Sequence, residues 1–357
     1  MVDTNVQKYT DLGSINVVDA LKKINTNAKG IMFVVDEKGA LVGCVTDGDV
    51  RRWLIKTGDL NAPISSFMNE KPKYLYDKEK KKATAVMEEW TVTAVPILNP
   101  DKTLLQVVLR DNPEDSDKYN DALKDTPVVI MAGGQGTRLY PYTKILPKPL
   151  IPIGDIPIAE RIIHQFTAFG CHEFHLIVNH KKNMIKAYFN EIEKDYEVYY
   201  ADEDTPLGTG GGLSLLKGRI DSTFILSNCD ILVREDFEKI VRTHKEQENE
   251  ITMVCSLKIY PIPYGVVHLG EEGQLGDIEE KPQMSFLTNT GVYIIEPGVI
   301  DRIADNTAMG FPDIIEENKA AGKRIGIYPV SEQSWLDMGQ MNTLEEMMQQ
   351  IEETIGV

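Results

Sequence analysis

Three glycines, an arginine and a lysine crowd into the run Met131-Ala132-Gly133-Gly134-Gln135-Gly136-Thr137-Arg138-Leu139 and its sequel Pro147-Lys148-Pro149-Leu150. Glycine lets the backbone bend tightly and bring its N–H groups against phosphate oxygens, where a side chain would collide. Arg138 and Lys148 add fixed positive charge. Directly upstream, Val128-Val129-Ile130-Met131 is a continuous apolar stretch, the pattern of a parallel strand buried on both faces. The chemistry suggested is a nucleoside triphosphate clamp at the end of a strand. Ala132, Gly133, Gly134, Gly136 and Thr137 would hold the nucleotide, and Arg138 and Lys148 its phosphates.

Two common phosphate motifs do not fit. The phosphate loop of NTPases requires lysine directly after its second glycine, and none follows Gly136. A dinucleotide fingerprint beginning at Gly134 and Gly136 meets Leu139 where its third glycine belongs. What remains, G-G-x-G-T-R-L-x-P-x-T followed by P-K-P-L, resembles the signature of the sugar-1-phosphate nucleotidylyltransferase family. That resemblance implies attack by a sugar-1-phosphate oxygen on the α-phosphorus of a nucleoside triphosphate. The nucleophile is already ionised near neutral pH, so positioning and charge neutralisation are required rather than a general base.

The resemblance extends downstream. Asp230, ending Phe224-Ile225-Leu226-Ser227-Asn228-Cys229-Asp230, and Asp337, within Trp335-Leu336-Asp337-Met338-Gly339, match the family's two Mg²⁺-binding aspartates. Many relatives have glycine where Cys229 stands. Glu280-Lys281-Pro282, Asn289-Thr290-Gly291-Val292-Tyr293 and Tyr264-Gly265-Val266-Val267 resemble the family's sugar-phosphate motifs. They imply that Gly265, Glu280, Lys281 and Asn289 bind the acceptor. Gly208 and Thr209, in Leu207-Gly208-Thr209-Gly210, complete the expected nucleotide set.

Glu203 bears on the base. A glutamine at this place, as in uridylyl and thymidylyl relatives, offers one donor and one acceptor, matching the edge of uracil or thymine. A carboxylate only accepts, and guanine presents adjacent N1–H and N2–H donors to it. GTP is therefore the expected nucleotide, although some uridylyl relatives also carry glutamate here.

The first 110 or so residues contain a repeat with a constant offset of 63. Ile31–Asp36 corresponds to Ala94–Asn99 and Leu41–Val45 to Leu104–Val108, each pair preceded by a helical stretch, Val17–Ile24 and Lys80–Met87. This repeat resembles a tandem pair of CBS modules, which sense adenosyl ligands. Gly43-Cys44-Val45-Thr46-Asp47-Gly48-Asp49 matches that family's ligand motif, making Thr46 and Asp47 candidates for an effector nucleotide, for example a pathway end-product nucleotide sugar. In the second copy Leu109 and Arg110 replace them. CBS pairs commonly stack face to face, so a symmetric homo-oligomer is expected. A CBS pair ahead of a guanylyl-type domain resembles the glucosamine-1-phosphate guanylyltransferases of bacterial legionaminic acid pathways. Mannose- and heptose-1-phosphate guanylyltransferases share nearly every motif quoted.

The remaining signals concern scaffold and surroundings. Past Pro127, strand-like runs at 128–132, 174–178, 223–227 and 252–257 alternate with helices. One of these has an apolar stripe of Ile158, Ile162, Ile163, Phe166 and Phe169 ended by Gly170. The expected fold is α/β, a doubly wound, mainly parallel sheet preceded by a small α+β tandem CBS module. The expected division is a CBS module at 1–112, an acidic linker at 113–126 and a catalytic domain at 127–357. A net charge of −17 argues against nucleic acid or an anionic membrane as partner. With no apolar signal or spanning segment, a cytoplasmic location is expected. Cys44, Cys171, Cys229 and Cys255 lack any C-x-x-C spacing and read as reduced, mostly buried thiols, and the cluster of Cys171, His172, His175 and His180 is not expected to bind metal.

Overall fold

The computed structural model describes residues 2–27, 29–90, 92, 94–109 and 121–339. They form two compact units. The first contains the N-terminal repeat together with Leu257–Phe286, and the second contains residues 121–256 and 287–339.

In the first unit, strand β1 (Thr10–Leu12) lies parallel to β2 (Ile31–Val35), and β2 pairs antiparallel with β3 (Leu41–Thr46). Helices α1 (Val17–Asn27) and α2 (Asp47–Thr57) flank the β2–β3 hairpin in sequence. The second copy repeats this plan: β4 (Leu75–Tyr76) lies parallel to β5 (Ala94–Leu98), which pairs antiparallel with β6 (Leu104–Leu109). A 3₁₀ turn at Asp77–Lys82 takes up the lysine run, and α3 (Ala83–Trp90) follows it.

The offset of 63 holds at the level of single hydrogen bonds. A register shift between Val34 and Val35 recurs between Ile97 and Leu98. The Asp36 N–H donates to the Ala40 carbonyl and the Asn99 N–H to the Thr103 carbonyl, both at 2.9 Å. The two turns also bond to each other reciprocally, Leu41 N–H to Lys102 O at 3.0 Å and Leu104 N–H to Gly39 O at 3.2 Å. Fully buried Val45, Ile97 and Val107 belong to the apolar interior that these sheets enclose.

The ribbon of β13 (Val266–Leu269) and β14 (Leu275–Glu279) groups with this unit. A two-stranded ribbon buries little surface of its own, so packing elsewhere decides which body it joins. Alternation along the strands carries no information about that choice. Val267, Leu269, Leu275 and Ile278 of the ribbon are exposed.

The second unit is built on a seven-stranded sheet. In the order in which they lie, its strands are β9 (Glu197–Asp202), β8 (Glu173–Val178), β7 (Val128–Met131), β10 (Phe224–Asn228), β15 (Gln283–Ile295), β12 (Ile251–Pro261) and β16 (Ile325–Val330). β9, β8, β7 and β10 run parallel, and β15 runs antiparallel to β10. This is the expected α/β fold. All four residues of β7 are buried, as a strand covered on both faces must be. Helix α4 (Ile158–Thr167) turns Ile158, Ile162, Ile163 and Phe166 fully inward, and the chain leaves it through Gly170 at φ +89°. A separate two-stranded sheet pairs β11 (Ile231–Val233) antiparallel with β17 (Trp335–Asp337).

Leu123, within the span read as linker, is buried in this core and its N–H donates to Phe169 O at 2.9 Å. Asp111–Asn120, Arg110 and the tail beyond Leu344 lie outside the described residues. All four cysteines are buried and unpaired, and buried His175 bonds Glu173 at 2.7 Å while stacking on Tyr199. Among the described residues, no helix is long and apolar enough to cross a membrane.

Candidate active site

In the second unit, successive parallel strands run outward from β7 through β8 to β9, and then the chain returns to place β10 on the other side of β7. At such a switch point the loops leaving the two central strands diverge and open a crevice beyond their carboxyl ends. Here those loops are the glycine run after β7 and Asn228-Cys229-Asp230 at the end of β10. Between them lies a cleft of about 280 Å³ lined by Met131, Gly133, Gly134, Arg138, Lys148, Glu203, Pro206, Gly208, Thr209, Asn228, Cys229 and Asp230.

The glycines differ in what they permit. A β-carbon on Gly133 would stand 2.9 Å from Glu203 Oε2 and 3.2 Å from Asn179 Cβ, whereas one on Gly134 would meet nothing within 4 Å. Gly133 thus admits the carboxylate, and Gly134 leaves open space for a ligand. Gly136 holds φ +65°, and its α-carbon is covered by Thr143 and Lys148, whose atoms would lie 2.8 and 3.0 Å from an added β-carbon. Gly136, Ala132 and Thr137 do not line the cleft. They shape the loop behind it.

Lys148 and Asp230 form an ion pair with 14% and 11% of their side chains exposed. Burial alone would lower the pKa of the lysine, but neighbouring Cys229 and the Asp230 carboxylate outweigh it and hold the ammonium above its ordinary value. Arg138 is exposed at the cleft and makes no ion pair among the described residues. Asp337 sits across the β11–β17 ladder from Ile231, the residue after Asp230, and the Met338 N–H donates to Asp230 O at 2.9 Å. Burial and the Asp230 charge push the Asp337 carboxyl up, against a hydrogen bond from the Gly339 N–H at 2.6 Å. Two carboxylates confined in this way fit a hard divalent cation whose other ligands are phosphate oxygens and water.

Glu203 is only 6% exposed, and burial raises the pKa of its carboxyl. Its Oε1 has no hydrogen-bond partner. Oε1 packs against the Gly212 α-carbon, 2.6 Å from where a β-carbon there would stand, while Oε2 faces Gly133.

A profile of the nucleotidyl transferase family matches residues 127–354, well over half of the chain. The chain belongs to the nucleotidyl transferase family. A CBS domain profile matches residues 13–56. The chain is 32% identical over 230 residues to a mannose-1-phosphate guanylyltransferase catalytic subunit beta of Drosophila pseudoobscura pseudoobscura, covering 60% of this chain and 59% of that protein. It is 34% identical over 185 residues to a mannose-1-phosphate guanyltransferase of Aspergillus fumigatus, covering 49% and 50%. The chain therefore spans about three fifths or less of these relatives' lengths. The crystal structure of HddC from Yersinia pseudotuberculosis shares the fold, with a TM-score of 0.51 and 22% identity over 63% of this chain and 99% of that one.

The other residues expected to bind substrate in this nucleotidyl transferase chain are placed less simply. Gly265, Glu280 and Lys281 lie in Leu257–Phe286, which groups with the N-terminal unit. Asn289 stands in the second unit, where its amide donates to the Tyr293 hydroxyl at 2.6 Å and accepts from the Gly291 N–H at 3.0 Å. Gly291, at φ +85°, brings β15 against Asn228. Thr209 lines the cleft, and its hydroxyl also accepts the N–H of Phe311 at the start of α6 (Phe311–Ala320).

In the CBS domain, the Thr46 hydroxyl accepts from the Asp49 N–H at 3.1 Å, and Asp49 in turn accepts from the Thr46 N–H, closing a capping box at the start of α2. Asp47 pairs with Arg51 at 2.5 Å. Both residues brought forward as ligand contacts thus also serve the first turns of their own helix. Thr143 closes the signature read from the sequence, whereas Asn179 and Lys181, which also surround the glycine loop, were missed. The bonds from Asn179 to Glu203 O and from Lys181 to Thr143 O span 24 and 38 residues and belong to no local motif.

Proposed function

We propose that the protein transfers a guanylyl group from GTP to a sugar-1-phosphate, releasing pyrophosphate. The observation that carries this reading is the meeting, in one cleft at the switch point of the sheet, of Gly133, Gly134, Arg138, Lys148, Glu203 and Asp230. The backbone at Gly133 and Gly134 receives the triphosphate, with Arg138 on the departing pyrophosphate. Lys148 grips the phosphate nearest the attack, where it offsets the repulsion between two anions. Glu203, a cleft-lining carboxylate, is the group proposed to accept the adjacent N1–H and N2–H donors of guanine. Asp230 and Asp337 hold Mg²⁺, which when bound supplies charge neutralisation at the phosphates. No proton-abstracting group is needed.

Two acceptors are favoured by different observations. Glucosamine-1-phosphate is the primary reading, since the likeness that supports it includes the CBS module. Mannose-1-phosphate is the second, supported by the names of the curated relatives. Asn289, Gly265, Glu280 and Lys281 are the residues proposed to bind the sugar phosphate. An effector nucleotide at Thr46 and Asp47 is proposed to regulate turnover, with the CBS modules joining copies into a homo-oligomer. A matrix of four nucleoside triphosphates against several sugar-1-phosphates, read by pyrophosphate release, tests base and sugar together. Preference for UTP or dTTP would overturn the guanylyl reading.

A further inference from the structure

Lys181, between β8 and α5 (Lys182–Glu191), is unusual on two counts. Its backbone is left-handed at φ +54°, a conformation that costs a non-glycine residue about 1–2 kcal/mol and that clusters at functional sites. Its ammonium donates to three consecutive carbonyls, Thr143 O at 2.9 Å, Lys144 O at 2.8 Å and Ile145 O at 2.9 Å. All three lysine donors are thereby used, and no carboxylate pairs with it among the described residues. The carbonyls belong to the end of a 3₁₀ turn at Tyr142–Lys144, where helical carbonyls otherwise lack partners.

A contact series leads from there to the phosphate-binding cations. Thr143, 2% exposed, donates its hydroxyl to Gly136 O at 2.8 Å, and its methyl group packs with Lys148 Cβ over the Gly136 α-carbon. Gly136 lies two residues before Arg138. A displacement of Thr143 would therefore move the turn that aims Arg138 and the backbone that carries Lys148 together. Elsewhere in the 139–147 loop Leu139 is buried in the core, while Tyr140, Tyr142 and Ile145 are exposed.

We infer that Lys181 is a positioning residue, a three-carbonyl clamp that holds the 137–148 loop so that Arg138 and Lys148 reach one triphosphate at once. The kinetic consequence rests on the nucleotidyl-transfer reading of the cleft; the structural one does not. In the full-length protein, Lys181→Met keeps the length of the side chain and removes its charge and donors, while Lys181→Arg keeps both. Hydrogen exchange of amides between Tyr140 and Leu146 should quicken about tenfold or more in Lys181→Met, with β7 and β8 unchanged. Turnover number should fall about tenfold or more while the KM for sugar-1-phosphate stays within about threefold, because misplacement by an ångström weakens the transition state more than the remote acceptor contacts. Lys181→Arg should restore most of both. Thr143→Val reads the same series from its other end and should lower turnover without loosening the clamped carbonyls; it decides the matter if Lys181→Met does not fold. Unchanged exchange in the loop, or an arginine variant as impaired as the methionine one, would overturn the clamp. If the wild-type protein turns over no triphosphate, the exchange result still stands and only the functional reading fails.

Discussion

The Lys148 ammonium is held by the Asp230 carboxylate in a cleft where neither side chain is more than 14% exposed. One acid therefore serves two partners, the lysine and the proposed metal, and the phosphates of a bound substrate would give the lysine an alternative. Asp230→Asn removes the charge and keeps the shape. Pyrophosphate release should fall about a hundredfold or more, and Mg²⁺ titration should no longer rescue it. Removing one partner of a buried pair also leaves the ammonium uncompensated, so unfolding in urea should show a loss of about 1–3 kcal/mol. Wild-type turnover in the variant would dismiss the metal assignment.

Glu203→Gln tests the base. The amide replaces a carboxylate whose Oε1 lacks a partner with a group carrying one donor and one acceptor. The ratio of kcat/KM for GTP to that for UTP should drop by about tenfold to a hundredfold. An unaltered ratio would mean that Glu203 does not face the base.

Thr46→Ala and Asp47→Ala should separate scaffold from ligand. The first removes a helix cap and should cost about 1 kcal/mol of stability in the N-terminal unit, visible as an earlier thermal transition. The second removes one partner of an ion pair in which Asp47 is 31% but Arg51 only 11% exposed, so it too should lower stability, by about 1 kcal/mol. Loss of nucleotide binding in calorimetry with Asp47→Ala would support the effector site. Retained binding in both variants would exclude these residues.

His244 supplies a pH test. It is fully buried, bonded to Thr252 Oγ1 at 2.8 Å and to Glu296 Oε1 at 3.0 Å, and burial lowers its pKa against the pull of Glu296. Lys245 reinforces the lowering and Glu250 opposes it. The folded state consequently binds fewer protons here than the unfolded one, whose histidine titrates near about pH 6.5. This contribution to stability is present above that pH and is lost as pH falls through it. Urea unfolding between about pH 7.5 and about pH 5.5 should show the decline, with a shallower slope in His244→Gln. Equal slopes would assign the decline to other groups.

The parts of the site that were legible in the sequence are those written in consecutive residues. A run of apolar residues followed by glycines marked β7 and its loop, and the apolar stretch ending at Asp230 marked β10, because a buried strand and a tight turn each demand particular residue types locally. The offset of 63 was legible for the same reason. The clamp at Lys181 was not, since Asn179-His180-Lys181-Lys182 reads as a polar loop and nothing local forces a lysine into left-handed backbone. Nor could alternation in β13 and β14 say which body the ribbon would join. The double duty of Thr46 was half legible: a threonine three residues before Asp49 is a capping signal as well as a ligand motif.

The reciprocal bonds between the turns at Gly39–Leu41 and Lys102–Leu104 make the two halves of the repeat an internal dimer, closed before any second chain arrives. Such a dimer is held by backbone atoms at the turns and by one apolar cluster in which Ile31 and Phe33 of the first half meet Ala94 and Val107 of the second. Pairing of the halves consequently does not require the ligand motif in both: Leu109 stands where Thr46 does in the first copy and is built into the shared cluster instead.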